Sequence, residues 1–289
     1  MITGRFAPSP TGELHLGNLR TALAAWMSAH RGGPGTGRFL VRFEDLDRVT
    51  SSPGIAAGQL ADLAAIGVVP DEPPVFQSDR FDLYDRAIDG LIAAGLTYPC
   101  FCTRREIREA AQAPHGGQVA YPGTCRALSP RERARRAVER PGAVRLNTEA
   151  AGLAGAEIAF SDALAGTVSG PVDDVVLRRN DGVPAYNVAV VVDDAAQGVT
   201  EVVRGDDLLE VTPTQVALQR LLGLPTPAYV HVPLVYGDDG ERLAKRHGAV
   251  TLSDLAAQGT GPDEVRRRLM AEVEAFAPFL APRSEEHTS

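Results

Sequence analysis

The sequence predicts an α/β protein, a doubly wound parallel sheet split by an inserted α+β segment. Three observations carry this. Strand-like and helix-like patterns alternate over the first 97 residues. The alternation stops over 98–185, where short strands gather with all three cysteines. From Val188 it resumes. Strands alternating with helices favour a parallel sheet covered on both faces, because each parallel pair needs a crossover and the crossover helix packs back on the sheet.

In chain order, Ile2–Phe6 reads as a short strand and residues 7–12 (APSPTG) as a loop. Within Leu16–His30, positions Leu16, Leu19, Leu23, Trp26, Met27 and His30 recur at helical spacing. Arg38–Phe43 (RFLVRF) is an apolar run of strand length bounded by the glycine-rich residues 32–37. Ile55–Ile66 and Tyr84–Ala94 read as helices. Beyond the insertion, Val188–Val192 reads as a strand, Val199–Val203 as another, Pro213–Leu222 as a helix and Val230–Tyr236 as a last strand. Residues 1–97 and 186–250 are thus expected to be two halves of one domain, 98–185 an inserted domain, and 251–282 a short helical segment. Residues 283–289 read as a non-native tail, since their codons can spell a common sequencing-library adapter.

Composition narrows the class. Of 289 residues, 29 are basic and 37 acidic, a formal charge of −8, which excludes histone-like or polybasic nucleic-acid binding but leaves room for a local basic patch. Hydrophobic residues at 44% give ample material for a core. No apolar run reaches the ~18 residues of a membrane span, and the N-terminus carries no signal-like pattern. Three cysteines are too few for a disulfide framework. A cytoplasmic, monomeric protein away from the membrane is expected. The 29 basic residues are 28 arginines and a single lysine, Lys245.

In an open α/β sheet, ligands sit beyond the carboxyl ends of the strands. Three charges fall at such ends: Arg5, Glu44 after RFLVRF, and Arg204 after VTEVV. Two guanidiniums and a carboxylate complement a molecule with two carboxylates and an ammonium, and glutamate has that inventory. Each residue alone is better read as a strand cap or surface ion pair; the three together favour a site. His15-Leu-Gly-Asn18 lies where a loop turns into a helix, and helix N-terminal N–H groups beside a small residue suit a nucleotide phosphate. Glu241–Gly248 is a basic loop after a strand, and its lysine suits charge developing on a phosphate.

These residues carry a resemblance. Arg5–Gly12 followed by His15–Asn18 resembles the HIGH signature of class I glutamyl-tRNA synthetases, and Arg242-Leu-Ala-Lys-Arg246 resembles their KMSKS loop. Arg42–Asp47 (RFEDLD), Pro184–Asn187 (PAYN) and Val203–Asp206 (VRGD) fall between them in the family's order. The likeness spans about residues 2–255. The wording HLGNLRTAL, EDLD and RGDDLL is most similar to the short paralogues of that family, the glutamyl-queuosine tRNA(Asp) synthetases. With 34 residues from Gly248 to Pro282, no anticodon-binding domain is expected there. Arg242 departs from the loop signature by replacing its first lysine, and Ala244 by replacing its serine.

The resemblance implies a Rossmann-type catalytic domain that activates glutamate with ATP, without tRNA, and passes it to queuosine at the wobble position of tRNA(Asp). It implies Arg5, Phe6, Ala7, Pro8, Ser9, Glu44, Tyr186 and Arg204 for glutamate. For ATP it implies His15, Asn18 and Lys245, with His15 and Lys245 catalytic and Mg2+ accompanying the nucleotide. A truncated glutamyl-tRNA synthetase and a non-catalytic glutamate- or tRNA-binding paralogue stay open as alternatives.

Cys100-Phe-Cys102 and Tyr121-Pro-Gly-Thr-Cys125 form a second constellation. On an extended segment residues 100 and 102 point to one side, so both sulfurs reach one ion, and three thiolates with a fourth ligand suit structural Zn2+. The resemblance implies Tyr121 as that fourth ligand; His115 is the conventional alternative, and three reduced, buried cysteines the plainer one. Seven arginines lie between Arg126 and Arg145 on a stretch whose middle reads as helical. They form either a solvated face or a seat for RNA phosphates.

Overall fold

The structure is a computed structural model that describes residues 1–33, 35–103, 105–107, 121–234 and 250–280. The chain opens with strand β1 (Ile2–Phe6), helix α1 (Leu16–Ala29), β2 (Gly37–Phe43), helix α2 (Pro53–Ala65) and the short β3 (Val75–Phe76). These three strands are parallel, with Arg5 opposite Leu40 and Arg42 opposite Val75. Helix α1 forms where the spacing of apolar residues predicts it. His15 caps its N-terminus, and Leu19, Leu23 and Met27 are buried against the sheet.

Helix α3 (Phe81–Ala93) leads into an antiparallel sheet of β4 (Thr97–Cys100), β5 (Ala143–Leu146) and β8 (Val176–Arg178). Between β4 and β5 stands helix α4 (Pro130–Glu139), opened by a Ser129–Glu132 capping box and with no buried residue. Between β5 and β8 runs the hairpin β6 (Glu157–Asp162) and β7 (Gly166–Pro171).

The last part of the chain carries helix α5 (Tyr186–Ala196), β9 (Glu201–Gly205), helix α6 (Thr212–Leu221) and β10 (Ala228–Val232). Strand β10 pairs in parallel with β9 along its length and with β6 at Tyr229 and Asp162. The sheet order is therefore β7-β6-β10-β9, and the hairpin from the expected insertion extends the sheet of the expected second half. Strand β9 also lies beside β1: Thr200 N–H donates to the Thr3 carbonyl at 2.9 Å, and Thr3 N–H to Thr200 Oγ1 at 2.9 Å. The carboxyl ends of β1, β2 and β9 consequently open on one side.

One expectation is corrected. Residues 188–192, read as a strand, lie inside helix α5. Valine costs a helix only about half a kcal/mol relative to alanine, whereas burying each side chain returns about 1.5 kcal/mol or more. Val188, Val190 and Val191 are at most 1% exposed, packed among α3 and α6. The helix also lets Asp193 and Asp194 both reach inward; a strand would send neighbours to opposite faces.

Helices α7 (Leu252–Ala257) and α8 (Pro262–Phe276) end the described chain. α8 buries Val265, Leu269 and Val273 against α1, and Arg20 of α1 pairs with Glu272 at 3.4 Å. No helix among the described residues is long and apolar enough to cross a membrane.

Candidate active site and cysteine cluster

The loop 7–12 is held over the end of β2 by its own carbonyls. Glu44 N–H donates to Pro8 O (2.9 Å), Ser52 N–H to Pro10 O (3.0 Å), and Gln59 Nε2 to Ser9 O and Gly12 O (3.2 and 2.6 Å). A proline-rich loop offers few N–H donors, so carbonyls supply the hold. Phe6 and Pro8 are buried, Ala7 is half-buried, and Ser9 is exposed.

At the strand ends the three expected charges meet, in unlike states. Arg5 Nε lies 3.2 Å from Asp194 Oδ1, and Arg42 Nη1 lies 2.7 Å from the same oxygen. Against the upward pull of burial, the two arginines hold the Asp194 carboxyl below the usual range. Glu44 sits 3.6 Å from Arg42, and burial raises its pKa to about 7; Arg42 and Arg5 oppose that rise, while Asp194 and Asp193 add to it. Tyr186, the first residue of α5, is pushed to about 12 by burial and by Glu44.

Arg204 is different. It is 5% exposed, and its Nε–H donates to His231 Nε2 at 3.0 Å while Nη2 donates to Thr212 Oγ1 at 2.7 Å. Its guanidinium stands 5.4 Å from the Tyr229 ring centre. Among the described residues no carboxylate pairs with it. Burial, with Arg5 adding to it, holds its pKa below the usual arginine value. A buried cation whose partners are all neutral bears a desolvation cost that an anionic ligand relieves.

His15 and Asn18 bind each other in a capping box: Asn18 N–H donates to His15 Nδ1, and His15 N–H to Asn18 Oδ1, both at 3.3 Å. The same turn receives the chain after the basic loop, since Leu16 N–H donates to Val250 O at 3.0 Å and His15 bridges Thr251. At the loop's other end Arg20 donates to the Pro233 carbonyl. Both flanks of the loop are therefore fastened to α1. Lys245, Arg242 and Ala244 themselves lie outside the described residues, as do His115 and residues 283–289.

The cysteines form a cluster. Cys100, Cys102 and Cys125 have sulfurs within 4.8 Å of one another, Cys102 and Cys125 being 3.4 Å apart. Tyr121 Oη lies 3.4 Å from Cys100 Sγ and 3.5 Å from Cys102 Sγ, and accepts the Cys125 N–H at 2.8 Å. A tetrahedral zinc with Zn–S bonds of ~2.3 Å has ligand–ligand edges of ~3.8 Å, so this donor set fits such an ion with little adjustment. Burial pushes the Cys102 thiol up to about 11. The Arg145 guanidinium lies 4.0 Å from the Tyr121 ring centre, a cation–π contact, while burial and the neighbouring thiols push the Tyr121 hydroxyl above its usual pKa. Arg145 is buried and Arg126 pairs with Asp174 at 2.7 Å. Two of the seven arginines are thus built into the fold and do not belong to an open basic face.

Comparison with known proteins agrees with this geometry. The family model described as "tRNA synthetases class I (E and Q), catalytic domain" matches residues 1–273. The chain belongs to this family. It is 61% identical over 263 residues to the Glutamyl-Q tRNA(Asp) synthetase of Nocardia farcinica, covering 91% of this chain and 81% of that one. It is 49% identical over 280 residues to the protein of the same name from Symbiobacterium thermophilum, covering 92% and 84%. Among solved structures, the glutamate tRNA ligase from Elizabethkingia meningosepticum, in complex with its amino acid, superposes with a TM-score of 0.72 at 33% identity. That match covers 86% of this chain and 52% of the ligase, so the chain spans about half of that enzyme's length.

Within this synthetase family member, sequence reasoning missed the partners of its own candidates. Asp194, Arg42, Asp162, Thr212 and His231 surround Arg5 and Arg204 and were not singled out. Signals existed: a charge inside the apolar run RFLVRF, two acids closing an apolar run at Asp193-Asp194, and a histidine inside the strand AYVHV.

Proposed function

We propose that this class I synthetase activates glutamate with ATP in the absence of tRNA and transfers the glutamyl group to queuosine of tRNA(Asp). The observation that carries the glutamate reading is Arg204, a buried guanidinium with only neutral partners, facing the same space as Glu44, Tyr186 and Arg5. The names of the relatives support the acceptor.

In this reading Arg204 takes the side-chain carboxylate of glutamate and Glu44 its ammonium. Arg5, already half-engaged by Asp194, faces the α-carboxylate, and Phe6, Ala7, Pro8, Ser9 and Tyr186 line the remainder. ATP lies at the N-terminus of α1 beside His15 and Asn18, where N–H groups favour phosphate. An oxygen of the α-carboxylate forms a bond to the α-phosphorus, the bond from that phosphorus to the β-phosphate bridge breaks, and pyrophosphate leaves with the electron pair. Lys245 stabilises the charge that develops, and Mg2+ accompanies the nucleotide. A hydroxyl of the cyclopentene-diol of queuosine then attacks the glutamyl carbonyl, the bond from that carbon to the phosphate oxygen breaks, and AMP leaves with the electron pair as the hydroxyl proton is released.

Residues 98–185 interrupt the catalytic halves 1–97 and 186–250, with the hairpin 157–171 returning to pair with β10 of the second half. Cys100, Cys102, Cys125 and Tyr121 would hold a structural Zn2+ there. These ligands would tie β4 to the segment that leads into α4, a structural role apart from activation.

The deciding experiment is glutamylation of tRNA(Asp) with and without queuosine, run beside glutamate-dependent ATP–pyrophosphate exchange without tRNA. Exchange together with transfer only to the queuosine-bearing tRNA is expected. Transfer to the acceptor end of tRNA(Glu) would overturn the acceptor assignment, and absence of exchange would overturn activation.

A further inference from the structure

Behind the glutamate site stands a polar chain that runs from the sheet hairpin to Arg204. Strands β9 and β10 pair in a register that sets His231 opposite Arg204, so both side chains emerge on the same face. His231 Nδ1 lies 2.7 Å from Asp162 Oδ2, and that oxygen also accepts the His231 backbone N–H at 2.9 Å. The other Asp162 oxygen accepts N–H groups of Leu164 and Ala165, both at 2.9 Å. All three side chains of the chain are buried.

The donor inventory fixes the protons. Arg204 Nε–H can only donate, so His231 Nε2 must be the acceptor in the 3.0 Å contact. The Asp162 carboxylate can only accept, so Nδ1 carries the hydrogen. The imidazole is therefore neutral and held in one tautomer by the group behind it. Burial and the nearby Arg204 push its pKa down to about 4, in keeping with that state. Beside it, 3.2 Å from His231 Nε2, Thr212 Oγ1 accepts from Nη2 at 2.7 Å and passes its own hydrogen to Leu208 O at 2.7 Å.

We propose that His231 is a positioning residue for glutamate selection: anchored by Asp162, it holds the Arg204 guanidinium so that its Nη1/Nη2 edge faces the substrate's side-chain carboxylate. A carboxylate placed directly on Nε would orient the guanidinium equally well, but it would cancel the charge that the substrate must meet. A neutral imidazole supplies the orientation and leaves the charge in place. Asp162, one ring further back, sets the tautomer. The inference rests on the reading of Arg204 as the ligand of that carboxylate.

The test uses the full chain in glutamate-dependent ATP–pyrophosphate exchange, with KM measured for glutamate and for ATP. His231→Asn keeps a donor where Nδ1 stands and removes the acceptor at Nε2. His231→Gln places an amide oxygen near Nε2 and loses the tie to Asp162. Loss of one hydrogen bond to a charged group predicts that His231→Asn raises the KM for glutamate by about tenfold or more, leaves the KM for ATP unchanged, and narrows the preference for glutamate over glutamine. His231→Gln recovers part of the loss. Equal glutamate KM values in the two variants, or no change in His231→Asn, would overturn the positioning role.

Nitrogen-15 spectra of the wild-type imidazoles supply a check that needs no active variant. They should show one histidine, missing in His231→Gln, with a protonated Nδ1 and a bare Nε2 that does not titrate through neutral pH. The opposite tautomer would also overturn the proposal. Wild-type protein that exchanges pyrophosphate with no dependence on glutamate would instead remove the reading of Arg204, and the proposal with it.

Discussion

Asp194 Oδ1 lies 2.7 Å from Arg42 Nη1, two buried charges joined across 152 residues of sequence beside Arg5 and Glu44. The same oxygen holds Arg5, so one carboxylate from α5 fixes the ends of both β1 and β2. Asp194→Asn removes the charge and leaves two guanidiniums facing a neutral amide. Breaking a buried pair in this way typically costs ~3–5 kcal/mol. Urea unfolding of the variant should show a loss in that range, and a loss within the error of the measurement would mean that Arg42 is satisfied by Glu44 and Asp193 alone.

Glu44 gives the activation step a pH dependence. Burial raises its carboxyl from 4.5 to about 7, so it is charged above that pH and neutral below. If its carboxylate takes the substrate ammonium, kcat/KM for glutamate should rise about tenfold per pH unit up to ~7 and then level off. The stability effect has the opposite sign. Between 4.5 and 7 the folded protein binds more protons at this group than the unfolded chain, so its contribution to stability falls as pH rises through the window. Glu44→Gln should abolish both slopes, as read by exchange kinetics and by denaturant midpoints.

Glutamine should be a poor substrate. An amide facing Arg204 forfeits a charge-assisted hydrogen bond worth about 1.5–3 kcal/mol, which predicts exchange slower by about 10- to 100-fold in kcat/KM. Rates for the two amino acids within a few-fold of each other would remove Arg204 from the specificity determinants.

Cys125 is fully buried, and its sulfur accepts the Phe101 N–H at 3.3 Å. Cys125→Ser should lower zinc content, measured by elemental analysis, and lower the melting temperature. Glutamate activation by the protein that remains folded should change little, because the cysteines pack in a cluster of their own with Tyr98, Phe101 and Tyr121. Freshly purified wild-type protein without zinc would refute the metal site itself.

Lys245 is the only lysine in the sequence, in the loop whose two flanks are fastened to α1. Lys245→Ala should lower kcat for pyrophosphate exchange by about 10²–10³, comparable to losing one electrostatic stabiliser elsewhere. The KM for glutamate should stay close to wild type if Arg5, Glu44 and Arg204 hold that substrate as proposed. Lys245→Arg should recover part of the rate, because a wider fork replaces a compact charge. An unchanged kcat in the alanine variant would make this lysine an ordinary surface residue.

What the sequence by itself determined is local. Apolar spacing marked α1, and the run RFLVRF marked β2. The strand-end rule placed Arg5, Glu44 and Arg204 on one side of the sheet, and the Cys-x-Cys spacing brought two sulfurs to one point. Each of these follows from periodicity or from residue type within a few positions. Tertiary structure alone decided the rest. Residues 188–192 became a helix because packing among α3 and α6 outweighed the weak preference of valine for strands. The hairpin 157–171 joined β10, and so put Asp162 behind His231. Arg5 and Arg204, alike in sequence, ended in opposite electrostatic states, one paired with an acid 189 residues away and the other with neutral groups. The reason is physical: propensity and charge type are properties of a residue, whereas the partner that neutralises a buried charge, or leaves it unpaired, is chosen by the folded chain.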